Sequence, residues 1–195
     1  GLPMTMSSVL MSLIISMDRL FLIKYVDLKT LGLYQISLIP ITLGIMLSSM
    51  IDQYIGPKLL YDFGKGIALD QIFKKLIRIF ITVIFAGLFC WPLFLLFLKY
   101  ILLNFLPLYK DSIPLMHVFY WAGVIMIGNR FSVIFNIKNK QYFLLIQSIA
   151  ILILTFITFI LISSFSKPIE WYAYSTIFIQ LINLITAIIL SYKII

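Results

Sequence analysis

Residues 2–23, LPMTMSSVLMSLIISMDRLFLI, decide the fold class. The run is apolar for long enough to cross a bilayer, whose core of about 30 Å takes roughly 20 helical residues at about 1.5 Å rise each. Near its far end Asp18 and Arg19 stand side by side, followed by Leu20, Phe21, Leu22 and Ile23. A charge in such a run costs roughly 2.5–3.5 kcal/mol on insertion scales, so it faces the protein interior or a wet cavity and takes a partner. Ser8, Ser12 and Ser16 follow one helical stripe towards Arg19. One helix cannot cover that stripe alone, so the pattern predicts neighbouring helices.

The rest of the chain supplies them. Of its 195 residues 63% are hydrophobic and 11% charged, and mean hydropathy is +1.11. Soluble domains hold about 45–50% apolar residues, so an all-α integral membrane protein is expected. The net charge of +8 fits the enrichment of cytoplasmic loops in Lys and Arg. Basic runs with interleaved aromatics are missing outside the connectors, which argues against nucleic acid as a partner. Cys90, the single cysteine, sits in the apolar run LFCWPLF, so neither an intrachain disulfide nor zinc spacing is available. The chain opens on Gly1, with neither an initiating methionine nor a signal peptide, and a segment of a larger protein is expected.

Six spans are predicted, at about residues 2–23, 32–54, 77–99, 114–135, 142–163 and 171–192, forming a single transmembrane lobe. Pro40 predicts a kink near residues 36–40 of the second span, and Gly44, Ser48 and Ser49 allow close packing there. In the connector that follows, Leu69, Ile72, Phe73 and Leu76 share one helical face while Lys74, Lys75 and Arg78 point elsewhere. That pattern suits an anionic membrane surface, or simply a basic cytoplasmic loop. The fifth span is nearly pure Ile, Leu, Phe and Thr and is expected to face lipid. Trp171, Tyr172 and Tyr174 open the sixth, where an interfacial aromatic belt would lie.

Counting Lys and Arg sets the orientation. With the N-terminus inside, the cytoplasmic segments hold nine (Lys58, Lys65, Lys74, Lys75, Arg78, Arg130, Lys138, Lys140, Lys193). The outer segments hold six (Arg19, Lys24, Lys29, Lys99, Lys110, Lys167). Both ends are therefore expected in the cytoplasm.

Two readings stand for Asp18 and Arg19: a cavity pair that contacts charged substrate, or an interfacial ion pair with Arg19 reaching to headgroups. Arg130, beside Asn129 in the fourth span, offers a guanidinium that can grip phosphate with paired hydrogen bonds, or serves as a cytoplasmic anchor. Asp52 ends the second span and is expected to cap it or to pair with Lys58; it is also a candidate coupling residue. His117 has no Cys, Asp or Glu at ligand spacing, so no metal site is expected, although titration near neutrality leaves proton coupling open. Phosphate-binding glycine loops, serine elbows and HExxH motifs are missing from the sequence, and every connector is short. Conduction, translocation or scaffolding is expected rather than enzymatic chemistry, with no cofactor.

The opening GLPMTMSSVLMSLIISMDRLFLIKYVDLKTLGLYQIS resembles the start of the C-terminal half of polysaccharide flippases of the MOP superfamily, which export O-antigen and exopolysaccharide units. The matching positions are Gly1, Pro3, Ser7, Ser8, Asp18, Arg19, Gly32 and Tyr34, with Trp91, Pro92 and Tyr109 further on. The resemblance implies a MATE-like C-terminal lobe of a transporter of about twelve helices, working with an N-terminal six-helix lobe by alternating access. The implied substrate is an undecaprenyl-diphosphate-linked oligosaccharide, carried across the bacterial inner membrane through a cationic cavity near Asp18, Arg19 and Arg130. The alternatives are a multidrug or other small-molecule exporter on the same architecture, a membrane enzyme such as a polymerase or acyltransferase, and a non-transporting scaffold.

Overall fold

A computed structural model describes residues 1–165 and 168–195. Ser166 and Lys167, which belong to the expected loop SSFSKPIEW and to the outer charge count, lie outside the described residues. Among the described residues, six helical stretches are long and apolar enough to cross a membrane, the pattern of a multi-pass helical membrane protein.

The first is α1 (Leu2–Leu22), opened by Pro3 in its first turn, where the missing N–H costs no helical hydrogen bond. The second span is longer than its apolar stretch, running from Leu28 to Gly64. It consists of α2 (Leu28–Ser37) and α3 (Ile39–Gly64), separated at Leu38. The break falls where Pro40 withholds its N–H, as the sequence predicts. Gly66, at φ 86°, supplies the left-handed turn after α3 that a side chain would resist.

Next comes α4 (Leu69–Asn104), an unbroken helix of 36 residues. Its first turns do not form a separate surface segment. Leu69, Ile72, Phe73 and Leu76 are buried against Leu59, Ile134 and Phe135, so the apolar face expected at the membrane surface is satisfied inside the protein. A short 3-10 turn (Pro107–Ser112) leads into α5 (Ile113–Gly128). The fourth span, expected as one continuous helix over 114–135, is broken: Asn129 leaves helical geometry at ψ 87°, and α6 (Ser132–Ile137) resumes after it. Asn139, at φ 54°, turns the chain into α7 (Tyr142–Ser164), followed by α8 (Ile169–Ile194).

Helix α5 forms the middle of the bundle, packing on α3, α4 and α8, while α7 lies between α8 and α1. Close approach of α3 and α5 depends on Gly44 and Gly123. A Cβ on Gly44 would stand 2.7 Å from the Cα of Gly123, and one on Gly123 would stand 2.8 Å from the carbonyl oxygen of Pro40. The expected lipid-facing character of α7 holds on one side only. Ile149, Ile153, Phe156 and Ile160 are exposed, whereas Gln147, Ser148 and Thr155 are buried, because α7 is wedged between two helices. Two apolar clusters fill the ends of the bundle. One gathers Leu22, Tyr34, Phe119 and Phe159; the other gathers Ile72, Phe131, Phe135 and Ile194.

Candidate functional site

A cavity of about 420 Å³ opens between α1 and α3 and is backed by the α5–α6 break, α7 and α8. Its walls are polar for a membrane bundle. Helix α1 presents Ser7 and Ser8, and α3 presents Ser49 and Asp52. The break presents Asn129 and Ser132, with Asn136 one turn on. Gln147, Ser148 and Asn183 close the back. Met4 and Met11 on α1 add apolar surface beside the serines.

Hydrogen bonds between side chains hold these walls together. The hydroxyls of Ser7 and Ser148 lie 2.6 Å apart and tie α1 to α7. The Gln147 amide nitrogen donates to the Asn183 side-chain oxygen at 2.7 Å and to its carbonyl at 2.9 Å, tying α7 to α8. Such bonds between transmembrane helices are worth about 0.6–2 kcal/mol each. They also fix which polar faces turn inward.

Arg130 sits behind this surface, in the helix break. Its Nη1 donates to Asp52 Oδ2 at 2.6 Å. The arginine side chain is 3% exposed and the aspartate 53%. Arg130 Nε and Nη2 are buried with no hydrogen-bond partner among the described residues, as is the side-chain oxygen of Asn136. Leaving buried donors unmatched costs about 1–3 kcal/mol per group, more where the group is charged. The break at Asn129 brings the guanidinium to this depth, and Asp52 neutralises it from the cavity side.

Asp18 occupies a different part of the bundle. It is 3% exposed, accepts the Tyr34 hydroxyl at 2.6 Å and accepts the Arg19 backbone N–H at 2.7 Å. Arg19 Nε approaches it only to 3.7 Å, and the arginine side chain is 34% exposed. The space beside Asp18, near Thr176 and Gln180, measures about 10 Å³, roughly the room for one water. Asp18 stands eleven positions beyond Ser7 on α1, about 16 Å along the axis.

The candidate residues thus divide. Asn129 and Asp52 line the cavity with Arg130 buried behind them, while Asp18 and Arg19 lie towards the opposite end of the bundle. Asp52 takes Arg130 as its partner, not Lys58, and it does not cap a helix end, because α3 continues to Gly64. His117, in the first turns of α5, packs edge-on to Trp91 with ring centroids 6.2 Å apart, about 18 Å along α5 from Asn129. The serine stripe of α1 also resolves differently. Ser8, Ser12 and Ser16 each donate to a carbonyl four residues back, which satisfies them without a neighbour.

Gln147, Asn183 and Asn136 did not emerge from the sequence as site residues. Their signal was an amide inside an apolar span, the pattern that marks an inward-facing position. Among the described residues, no three of His, Cys, Asp or Glu are grouped so as to hold a metal ion. Comparison with family models, with curated proteins and with solved structures finds no match to this chain. Fold and site together define a helical membrane protein with a polar cavity and a buried, incompletely paired arginine.

Proposed function

We propose that this chain is one lobe of a lipid-linked oligosaccharide flippase, moving a polyprenyl-diphosphate-linked repeat unit across the bacterial inner membrane by alternating access. The observation that carries this reading is the polar cavity backed by Arg130, whose guanidinium is only partly paired. Hydroxyl and amide walls built from Ser7, Ser49, Asn129 and Gln147 offer both donors and acceptors, as sugar hydroxyls require. A diphosphate supplies the acceptors that Arg130 Nε and Nη2 lack, in the planar paired geometry guanidinium favours. In this mechanism the arriving phosphate competes with Asp52 for Arg130, and the freed carboxylate turns towards water.

The opening between α1 and α3 is the face at which a second six-helix lobe would complete the cavity. Rocking of the two lobes would then expose it to each side in turn. The likeness of the opening 37 residues to the C-terminal half of polysaccharide flippases points the same way. On this reading both chain ends lie in the cytoplasm, and the cavity opens towards it.

Export in cells tests the proposal. The native gene and its Arg130→Ala form are placed in a bacterium whose own repeat-unit flippase is deleted. Surface polysaccharide and lipid-linked intermediate are then measured. Native protein is expected to restore surface polymer, and Arg130→Ala to lose at least about tenfold, the effect of removing one charged hydrogen-bonding contact of about 1.5–3 kcal/mol. Restored drug efflux without restored polymer would assign the cavity to a small-molecule exporter instead.

A further inference from the structure

A second cavity lies on the outer flank of the bundle, away from the polar one. It is an open groove of about 390 Å³ with α3 and α4 as its walls and α5 as its floor. Glycines shape it. Gly44 brings α3 against α5, and a Cβ on Gly87 would stand 2.8 Å from Val124 Cγ1, so α4 is also seated directly on α5. The Tyr120 hydroxyl on the floor donates to the Gly87 carbonyl at 2.7 Å, and the Cys90 thiol is the one weakly polar side chain beside it in the lining. Leu43, Leu47, Ala86 and Phe94 line the remaining surface. The α3 wall runs from Pro40 to Ile51 and the α4 wall from Val83 to Phe94, about 16 Å each. That is about the depth of one leaflet of a 30 Å hydrocarbon core.

One end of the groove is basic. Seven residues beyond Ile51, about 10 Å along α3, Lys58 continues the same helical face. One turn further, Asp62 reaches across to α4 and accepts from Lys75 Nζ at 2.7 Å. Lys58 and Lys65 also act electrostatically on Asp62. A basic cluster of Lys58, Lys65 and Lys75 about one carboxylate thus lies about 10–20 Å beyond this end of the groove, whereas past the other end α4 carries Lys99 alone.

We propose that this groove binds an anionic glycerophospholipid, with one acyl chain between α3 and α4 and the headgroup phosphate on Lys58 and Lys65. The groove of about 16 Å and the further 10 Å or so to Lys58 together suit one acyl chain with its glycerol and phosphate, whereas a long polyprenyl chain would overrun them. Charge selects the headgroup: each basic residue near an anionic surface favours it by about fivefold. This site is separate from the polar cavity and does not depend on the transport reading.

The test uses the whole protein reconstituted in bilayers of phosphatidylcholine doped with a phospholipid bearing a diazirine near the end of one acyl chain. The probe carries either a phosphatidylglycerol or a phosphatidylcholine headgroup, and crosslinks are mapped by mass spectrometry. The phosphatidylglycerol probe is expected to label residues 83–94 and 43–51 several-fold more than its phosphatidylcholine twin. Lys58→Gln with Lys65→Gln should bring the two probes level, leaving the Asp62–Lys75 pair intact. Ala86→Phe, an exposed position on the groove wall, should suppress labelling by both. Equal labelling by both headgroups in the native protein, or labelling that Ala86→Phe leaves unchanged, would overturn the proposal. So would displacement of the phosphatidylglycerol probe by equimolar polyprenyl phosphate.

Discussion

Arg130 and Asp52 share one hydrogen bond of 2.6 Å but not one environment, since the arginine side chain is 3% exposed and the aspartate 53%. The two ends of the bond therefore carry unequal consequences. Removing Asp52 strands a buried guanidinium whose Nε and Nη2 are already unpaired, a loss of about 3–5 kcal/mol. Replacing Arg130 with methionine fills the same space with apolar atoms and leaves a carboxylate that water can reach, at a cost below about 1.5 kcal/mol. Unfolding titrations in mixed micelles should accordingly rank Asp52→Ala well below Arg130→Met. Equal losses would mean that Asp52 is as desolvated as its partner. The sequence announced each of these residues as a charge in or beside an apolar span, but it did not announce the pair. Seventy-eight positions separate them, and Lys58 is the nearer partner in the chain. Asp18 shows the same limit: LIISMDRLFLI marks it as a charge in need of a partner but leaves cavity and interface both open, whereas its bond to Tyr34 depends on how α2 folds back on α1.

Among the elements, the spans were legible and their interruptions only partly so. Pro40 marks its own break, because a missing N–H acts locally. The break after α5 has a local signal too, Gly128 followed by Asn129, a pair suited to ending a helix. There the apolar run on both sides masked it, since hydropathy reports burial and not backbone geometry. The amphipathic start of α4 was a true pattern given the wrong neighbour: its apolar face meets α6 instead of a bilayer. Contacts between helices are the least visible, because they depend on which glycines face each other. Gly44 and Gly123 do, so Gly44→Val should push α3 off α5 and lower stability by about 1–3 kcal/mol, the usual cost of overpacking. Gly56→Val, which has open space around its missing Cβ, serves as the control and should be neutral or slightly stabilising, because valine has the better helix propensity. Thermal unfolding in detergent distinguishes the two; a Gly44→Val protein as stable as Gly56→Val would show that α3 and α5 do not depend on this close approach.

The whole molecule has two kinds of outer surface, and a chemical probe can tell them apart. Phe85, Leu88, Phe89 and Leu93 on α4 are exposed from this chain and wholly apolar, as a lipid-facing side must be. Ser49 on α3 is also exposed but lines the polar cavity. That cavity lies at the end of the bundle where α1 begins, since Met4, Ser7 and Ser8 reach it and Asp18 does not. If it holds water, a thiol placed there ionises and reacts with charged reagents, whereas a thiol in hydrocarbon stays protonated and inert to them. Cys90 is the only native cysteine, so Cys90→Ala gives a clean background. In sealed vesicles, Ser49→Cys should react with a membrane-impermeant thiosulfonate added from the side that carries the N-terminus. Leu88→Cys should stay unreacted with the same reagent, whichever side it is added to. Reaction of Ser49→Cys from the opposite side would reverse the direction in which the cavity opens. If Ser49→Cys proved as inert to the charged reagent as Leu88→Cys, the cavity would be dry. Arg130 would then face no aqueous path, and a diphosphate could not reach it.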